Sequence, residues 1–214
     1  MKRIAVLFLL YYCAISENYS QVLRYDVVRN GSSIGATLVE RTIEGEKITH
    51  HLNTLTKFRI IWQIEVEYDL VETFEGDTLV SGTSWNTLNE SKQKDTELSR
   101  KEGEYSLIID GIHTTIHEPV ITKSVSEIYF EEPEHSEKVF SAYFGRYLTF
   151  EKIGEHQYEL TSPDGSNIYT YENGICTEVK ISRDFATFSQ VLKPEVLAAV
   201  RNHEITGSIH DKDN

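Results

Sequence analysis

The sequence predicts an all-β domain, a large curved antiparallel meander sheet or half-open β-barrel with one or two short helices. Three observations predict it. Wet and dry side chains alternate along extended segments, glycine-centred turns punctuate those segments, and the segments follow one another as a meander of hairpins. Alternation fits a sheet with one face packed and one face solvated, which is an antiparallel property; buried parallel strands read as continuous apolar runs joined by helices.

The clearest strand runs from Ile64 to Phe74. Ile64, Val66, Tyr68, Leu70 and Phe74 share one face, with Glu72 the exception; Gln63, Glu65, Glu67, Asp69, Thr73 and Glu75 share the other, with Val71 the exception. Other strands are expected over Val22–Arg29, Ser33–Ile43, Ile48–Ile61, Thr78–Leu88, Lys94–Lys101, Tyr105–Asp110, Ile112–His117, Tyr147–Lys152, His156–Thr161, Asn167–Tyr171 and Ile175–Arg183. Between them lie turn sequences such as Asn30-Gly31 and Asn173-Gly174, the strongest short hairpin signal because both turn positions need positive φ. Thr122–Phe130 predicts a short helix stopped at Glu131-Glu132-Pro133-Glu134. Pro194–His203 predicts a second, with Pro194 at a first helical position, Glu195 at the positive dipole end and Val196, Leu197 and Val200 on one stripe. The tail from Thr206 to Asn214 is small and polar and is expected to fray.

The beginning of the chain predicts export. Met1-Lys2-Arg3 is a basic start, Ile4 to Ile15 is an uncharged apolar run, and Ala14 and Ser16 stand at −3 and −1 of a cleavage site. This is the layout of a secretory signal peptide, and the run is shorter than the ~20 residues that span a bilayer. Cleavage after Ser20 would put Asn18 at −3, a poor residue there. Lipidation of Cys13 is disfavoured because Tyr12, a large residue, precedes it. The expected organisation is therefore a leader over 1–16, one β domain over 17–193, and a helix with tail over 194–214. The mature protein is expected in the periplasm or secreted, with Cys176 as its one remaining cysteine and no internal disulfide.

The net charge is −13, and without Lys2 and Arg3 the balance is 19 basic to 34 acidic residues. Such acidity repels nucleic acid and anionic headgroups, so neither nucleic acid nor a lipid-surface anchor is expected as a partner. Candidate catalytic motifs are weak. Gly31-Ser32-Ser33-Ile34-Gly35 matches a serine-hydrolase pattern, but that chemistry needs a strand-to-helix elbow and here a strand follows. His113 and His117 have helical zinc spacing; on a strand they stand about 13 Å apart and cannot share one ion unaided. His50 and His51 point to opposite faces. Glu65 and Glu67 lie on the wet face of their strand, and the acid pairs Glu131–Glu132 and Glu134–Glu137 read as solvated surface. Asp211, Asp213 and Asn214 resemble the start of a calcium loop without its Gly and closing Glu. No metal, cofactor or catalytic residue is expected.

The opening hairpin Tyr25-x-Val27-x-x-Asn30-Gly31-x-x-Ile34-Gly35 resembles the start of uncharacterised exported proteins of the Gram-negative envelope, a domain-of-unknown-function family. Tyr158-x-Leu160-x-x-Pro163-Asp164-Gly165 and Tyr169-x-Tyr171-x-Asn173-Gly174 fit as well. The resemblance spans Val22 to Leu192, with the helix from Pro194 as an extension. Related exported families look like the half-open barrel of the lipoprotein carrier LolA, which implies a curved sheet around an apolar cavity and transfers no catalytic residue. The expectation is a non-catalytic, monomeric module holding an apolar molecule or a partner segment on its concave face, lined by Ile64, Val66, Tyr68 and Leu70 and by the aromatic stretch Tyr129, Phe130, Phe140, Tyr143, Phe144 and Tyr147. The alternatives are a structural or assembly factor using sheet edges or the acidic face to hold an envelope partner, and a hydrolase in which two or more of His113, His117, His135, His156 and the nearby acids converge in a cleft.

Overall fold

The computed structural model describes residues 18–59, 61–133, 137–183 and 186–207. The expected leader, Cys13, His135 and the calcium-loop resemblance at Asp211–Asn214 lie outside them. Among the described residues fourteen strands follow in order: β1 (Asn18–Arg29), β2 (Ser32–Glu44), β3 (Lys47–Arg59), β4 (Gln63–Glu75), β5 (Thr78–Leu88), β6 (Ser91–Lys101), β7 (Glu104–Ile109), β8 (Ile112–Ile116), β9 (Glu137–Ser141), β10 (Arg146–Gly154), β11 (Gln157–Ser162), β12 (Gly165–Glu172), β13 (Ile175–Arg183) and β14 (Ala186–Leu192). All belong to one antiparallel sheet ordered β8-β7-β6-β5-β4-β3-β2-β1-β14-β13-β12-β11-β10-β9. The sheet is a curved meander that stays open, because β8 and β9 are its two edges and do not pair.

One pairing is non-local. β1 and β14 run antiparallel from Tyr25↔Leu192 to Val28↔Ser189, welding a meander of β2–β8 to a meander of β9–β14. Neither β9 nor β14 stands among the strands the sequence predicts. No glycine turn precedes β14, and β9 is five residues long inside an aromatic stretch that reads as an irregular cover. The predicted hairpins at Asn30-Gly31 and Asn173-Gly174 form with positive φ at all four residues. Register shifts at Val27/Val28, Thr73/Phe74, Asn86/Thr87, Lys152/Gly154 and Thr170/Tyr171 bend the strands and strengthen the twist.

The sheet curls until its wings touch. Gly145 in the β9–β10 turn has φ +65, and a Cβ there would stand 2.5 Å from Leu107 Cδ2 on β7. Tyr143 from the same turn donates its hydroxyl to Asn86 Oδ1 at 3.2 Å, and its ring lies 5.6 Å from Tyr68 on β4.

The segment 117–133, which leaves the β8 edge, crosses the concave face as a plug. Leu79 N donates to Ile121 O, and Tyr105 Oη bridges Leu79 O and Ile121 N at 2.7 and 3.0 Å. Tyr171 and Tyr129 donate their hydroxyls to Ile128 O and Gln190 Oε1 at 2.8 and 2.9 Å. Ile121, Ile128 and Phe130 are buried. The helix predicted over Thr122–Phe130 is instead a single 3₁₀ turn, Glu127–Tyr129. Its earlier residues are used for pairing: Val125 N donates to Phe140 O and Phe140 N to Lys123 O, so the plug covers the β9 edge. Ser124 and Ser126 turn their hydroxyls toward each other and Glu72 rather than solvent.

The predicted second helix is α1 (Pro194–Arg201), with Pro at its start and Glu195 in its first turn. Val196 and Val200 join the core, and Asn173 Nδ2 donates to Val200 O at 2.9 Å. The tail is not free from its first residues as the sequence suggests. Thr206 O accepts from Gln21 and Gly207 O from Arg41, because two buried polar side chains on β1 and β2 need partners.

Candidate ligand-binding cavity

A cavity of about 660 Å³ opens where the curl of the sheet leaves the plug short of one end. That volume lies within the usual range for small-molecule sites. Alternation on β3 and β4 turns Leu52, Thr54, Thr56 and Phe58, and Val66, Tyr68 and Leu70, into it. The plug supplies Val125 and Tyr129 as its inner end. The opposite wing supplies Leu148, Leu160, Ile181 and Phe188. Among the described residues its charged lining is Asp164 and Arg183, which stand at the rim with Asn86, Gln93 and Asn167.

Tyr68 is half-buried, yet desolvation holds its hydroxyl well above the ordinary tyrosine range. The two facts agree if its open surface faces the cavity rather than bulk water. Arg183 donates to Asn167 Oδ1 at 2.9 Å and to Ser182 O at 2.8 Å, and desolvation lowers its pKa. The rim thus offers hydrogen-bonding groups and the interior offers almost none that are unpaired, an arrangement suited to an apolar body with a polar end.

Of the residues expected to line the concave face, Val66, Tyr68, Leu70, Tyr129, Tyr143 and Phe144 come together in this cavity. Four do not. Ile64 sits opposite Phe58 nearer the hairpin tip. Phe130 is buried against His50 and Arg41 at the far end of the core. Phe140 belongs to a second cluster around Leu79, Leu98 and Leu107, and Tyr147 packs on Phe140 at 5.4 Å. The sequence reading misses Phe188 and Gln190, which stand on the unforeseen strand β14, and Arg183, which ends the predicted strand β13.

The motifs weighed for catalysis are dispersed. Ser32 and Ser33 open β2 directly after a hairpin turn, and no helix follows. His113 and His117 are exposed on and beside β8, and His156 is exposed at 3.0 Å from Glu132 on the other wing. None lines the cavity. Glu65 pairs with Lys57 at 3.0 Å on the outer face. Cys176 is fully buried, and desolvation raises its thiol pKa, so it packs as a small core residue. Among the described residues no cluster of His, Cys, Asp and Glu could hold a metal ion, and no helix is long and apolar enough to cross a membrane.

A second feature is a buried polar row. Gln21, Arg41, His50 and Glu72 are successive cross-strand partners on β1 to β4, all facing inward. Arg41 donates to Gln21 Oε1 and lies 4.7 Å over the Phe130 ring. Burial lowers its pKa to about 10 and that of His50 to about 3. Glu72 accepts from Ser124 Oγ at 2.6 Å, and burial raises its pKa. Glu127 accepts from Ser124 N at 2.8 Å and is pushed by burial up to about 8. Arg41 and Glu127 border a smaller recess of about 400 Å³ at the end of the molecule opposite the apolar cavity.

The architecture defines a class: an open antiparallel sheet curled over its own connecting segment, with a ligand-sized apolar cavity and no assembled catalytic centre among the described residues. The chain belongs to the family described as Domain of unknown function (DUF6134), whose profile matches residues 25–193. The match ends at Lys193, the residue before α1. No curated protein and no solved structure matches the chain.

Proposed function

We propose that this domain is an exported, periplasmic, non-catalytic binding module that holds an apolar, lipid-like molecule in the cavity between β3–β4 and β11–β14. The observation that carries the reading is the cavity itself: about 660 Å³, with charged lining residues only at its rim. The basic start and apolar run of residues 1–15 support the export. The half-barrel of LolA supports the reading only as an analogy of shape.

Titration with a fluorescent long-chain fatty acid tests it. Wild type should bind saturably. Val66→Glu, which puts a charge on the cavity wall, should weaken binding about tenfold or more, while the melting temperature stays close to that of wild type because Val66 is only half-buried. Equal binding by both proteins, or none by wild type and no lipid recovered from native protein by mass spectrometry, overturns the reading.

One observation favours a second reading, an assembly role through a sheet edge. β8 is short and nearly wholly exposed, with Ile112 71% accessible, and its outer edge meets no other strand among the described residues. An extended segment of a partner could add there. Recovery of one specific envelope protein on the wild-type domain, lost with Thr114→Pro, supports that role.

A further inference from the structure

The antiparallel registers place the turns β1–β2, β3–β4, β5–β6, β7–β8, β9–β10 and β11–β12 at one end of the sheet, and the cavity opens at that end among Leu88, Gln93, Pro163 and Asp164. The three most exposed large apolar side chains of the described residues stand there too: Ile61 at 77%, Ile112 at 71% and Trp62 at 63%. Ile61 and Trp62 form the tip of the β3–β4 hairpin, whose strands carry Phe58 and Val66 on the cavity wall.

We propose that this end docks on the surface of a lipid bilayer, with Ile61 and Trp62 inserted at the headgroup–acyl boundary, so that the occupant of the cavity passes between bilayer and protein at the mouth. The proposal deepens the reading of the cavity as an apolar-ligand site and rests on it for its purpose, though not for its geometry.

The whole-chain charge argues against such a surface, but that charge is unevenly placed. The opposite end carries the turns Glu44-Gly45-Glu46, Glu75-Gly76-Asp77 and Glu102-Gly103-Glu104, with Glu131 and Glu132, against Lys47, Lys101 and Lys123, and stays net acidic. The mouth end carries Arg29, Lys57, Arg59, Lys92, Lys94 and Arg183 against Glu65, Glu90, Asp95, Asp110 and Asp164. An anionic membrane therefore repels the far end and accepts the near one, which orients the molecule mouth-first. A tip of two side chains is too small for a stable protein interface, which buries about 800 Å² per partner. It suits a fluid boundary, where a tryptophan ring with adjacent cations is favoured.

The test uses vesicles of equal parts phosphatidylcholine and phosphatidylglycerol. Co-sedimentation of wild type is expected, and in Trp85→Phe the remaining Trp62 emission should shift to the blue on vesicle addition. Ile61→Ser with Trp62→Ser should weaken sedimentation about tenfold or more, on the scale of two apolar side chains leaving an apolar medium, while fatty-acid titration of the cavity is unchanged. A wild-type protein that stays in the supernatant, a Trp62 emission that vesicles leave unmoved, or a double variant that sediments like wild type overturns the docking. Vesicle binding through the tip combined with an empty cavity leaves the docking standing and removes the apolar-ligand reading. A blue shift produced by a membrane protein and not by protein-free vesicles assigns the tip to a protein and overturns the proposal.

Discussion

Glu72 breaks the apolar face of β4, and the break is visible in the sequence; its partner is not, because Ser124 lies in the plug and reaches it only in the fold. Burial of the carboxyls around Ser124, against the pull of its hydrogen bonds, gives a pH dependence. Burial raises Glu127 from 4.5 to about 8, so the folded protein holds that proton more tightly than the unfolded chain. Its stabilising contribution is full below about 4.5 and is lost as pH rises through about 8. Glu72 acts in the same sense. His50 acts in the opposite sense: lowered from 6.5 to about 3, it contributes fully above 6.5 and loses that contribution as pH falls toward 3. Between 6.5 and 8 Glu127 therefore sets the slope without His50. Thermal melts across that interval should fall for wild type and flatten for Glu127→Gln; parallel curves refute the assignment. Gly145 offers a purely steric test. Its positive φ strains any residue with a Cβ, and the 2.5 Å approach means that the buried Leu107 side chain must shift to admit one. Gly145→Ala should destabilise by roughly 1–3 kcal/mol, read from urea unfolding, whereas Gly103→Ala, with open space around it, should cost only the strain of φ +88.

Most hairpins of this sheet are legible at the level of single elements, because glycine turns and two-residue alternation are local signals. β14 is not, since Arg183-Asp184-Phe185-Ala186 contains no turn residue with a distinctive backbone preference apart from Asp184. The plug is misread as a helix for a related reason: Val125, Ile128 and Tyr129 are spaced as one side of a helix, but the backbone before Glu127 is bonded to β9 instead, Val125 N to Phe140 O and Phe140 N to Lys123 O. α1 is legible from its Pro, Glu and apolar stripe, and the structure adds that it closes the core rather than trailing from it. Val200 is fully buried. Val200→Ala should therefore cost roughly 2 kcal/mol in unfolding free energy, the scale for deleting buried methyls. The Arg201–Glu172 pair is exposed, so Arg201→Ala should leave the melting temperature nearly unchanged.

At the scale of the molecule, the sequence predicts a concave apolar face and names Val66, Tyr68 and Leu70 on one side of the cavity, Tyr129 at its inner end, and Tyr143 and Phe144 on the other wing. It does not name the strand residues of that other wing, Leu148, Leu160, Ile181 and Phe188, because β4 and β10–β14 meet through the curl of the whole sheet and not through neighbouring turns. That curl also sets a gradient of protection. β8 is an edge that nothing covers among the described residues, whereas β1 and β14 lie at the centre of the sheet with Tyr25, Leu23 and Leu192 buried. Native-state hydrogen exchange should release β8 amides first and those of β1 and β14 last; equal protection across the sheet would contradict this order.

The weld between β1 and β14 has a temporal consequence. As the chain is synthesised, β1 finds β2 at once, but its other side must wait until β14 has emerged, some 160 residues later. Until then the nascent protein carries a bare central strand whose amides have no native partner. Closure of so distant a pair is slow, so folding should be limited by this one late docking step and should be exposed, while it waits, to capture by another copy's strand.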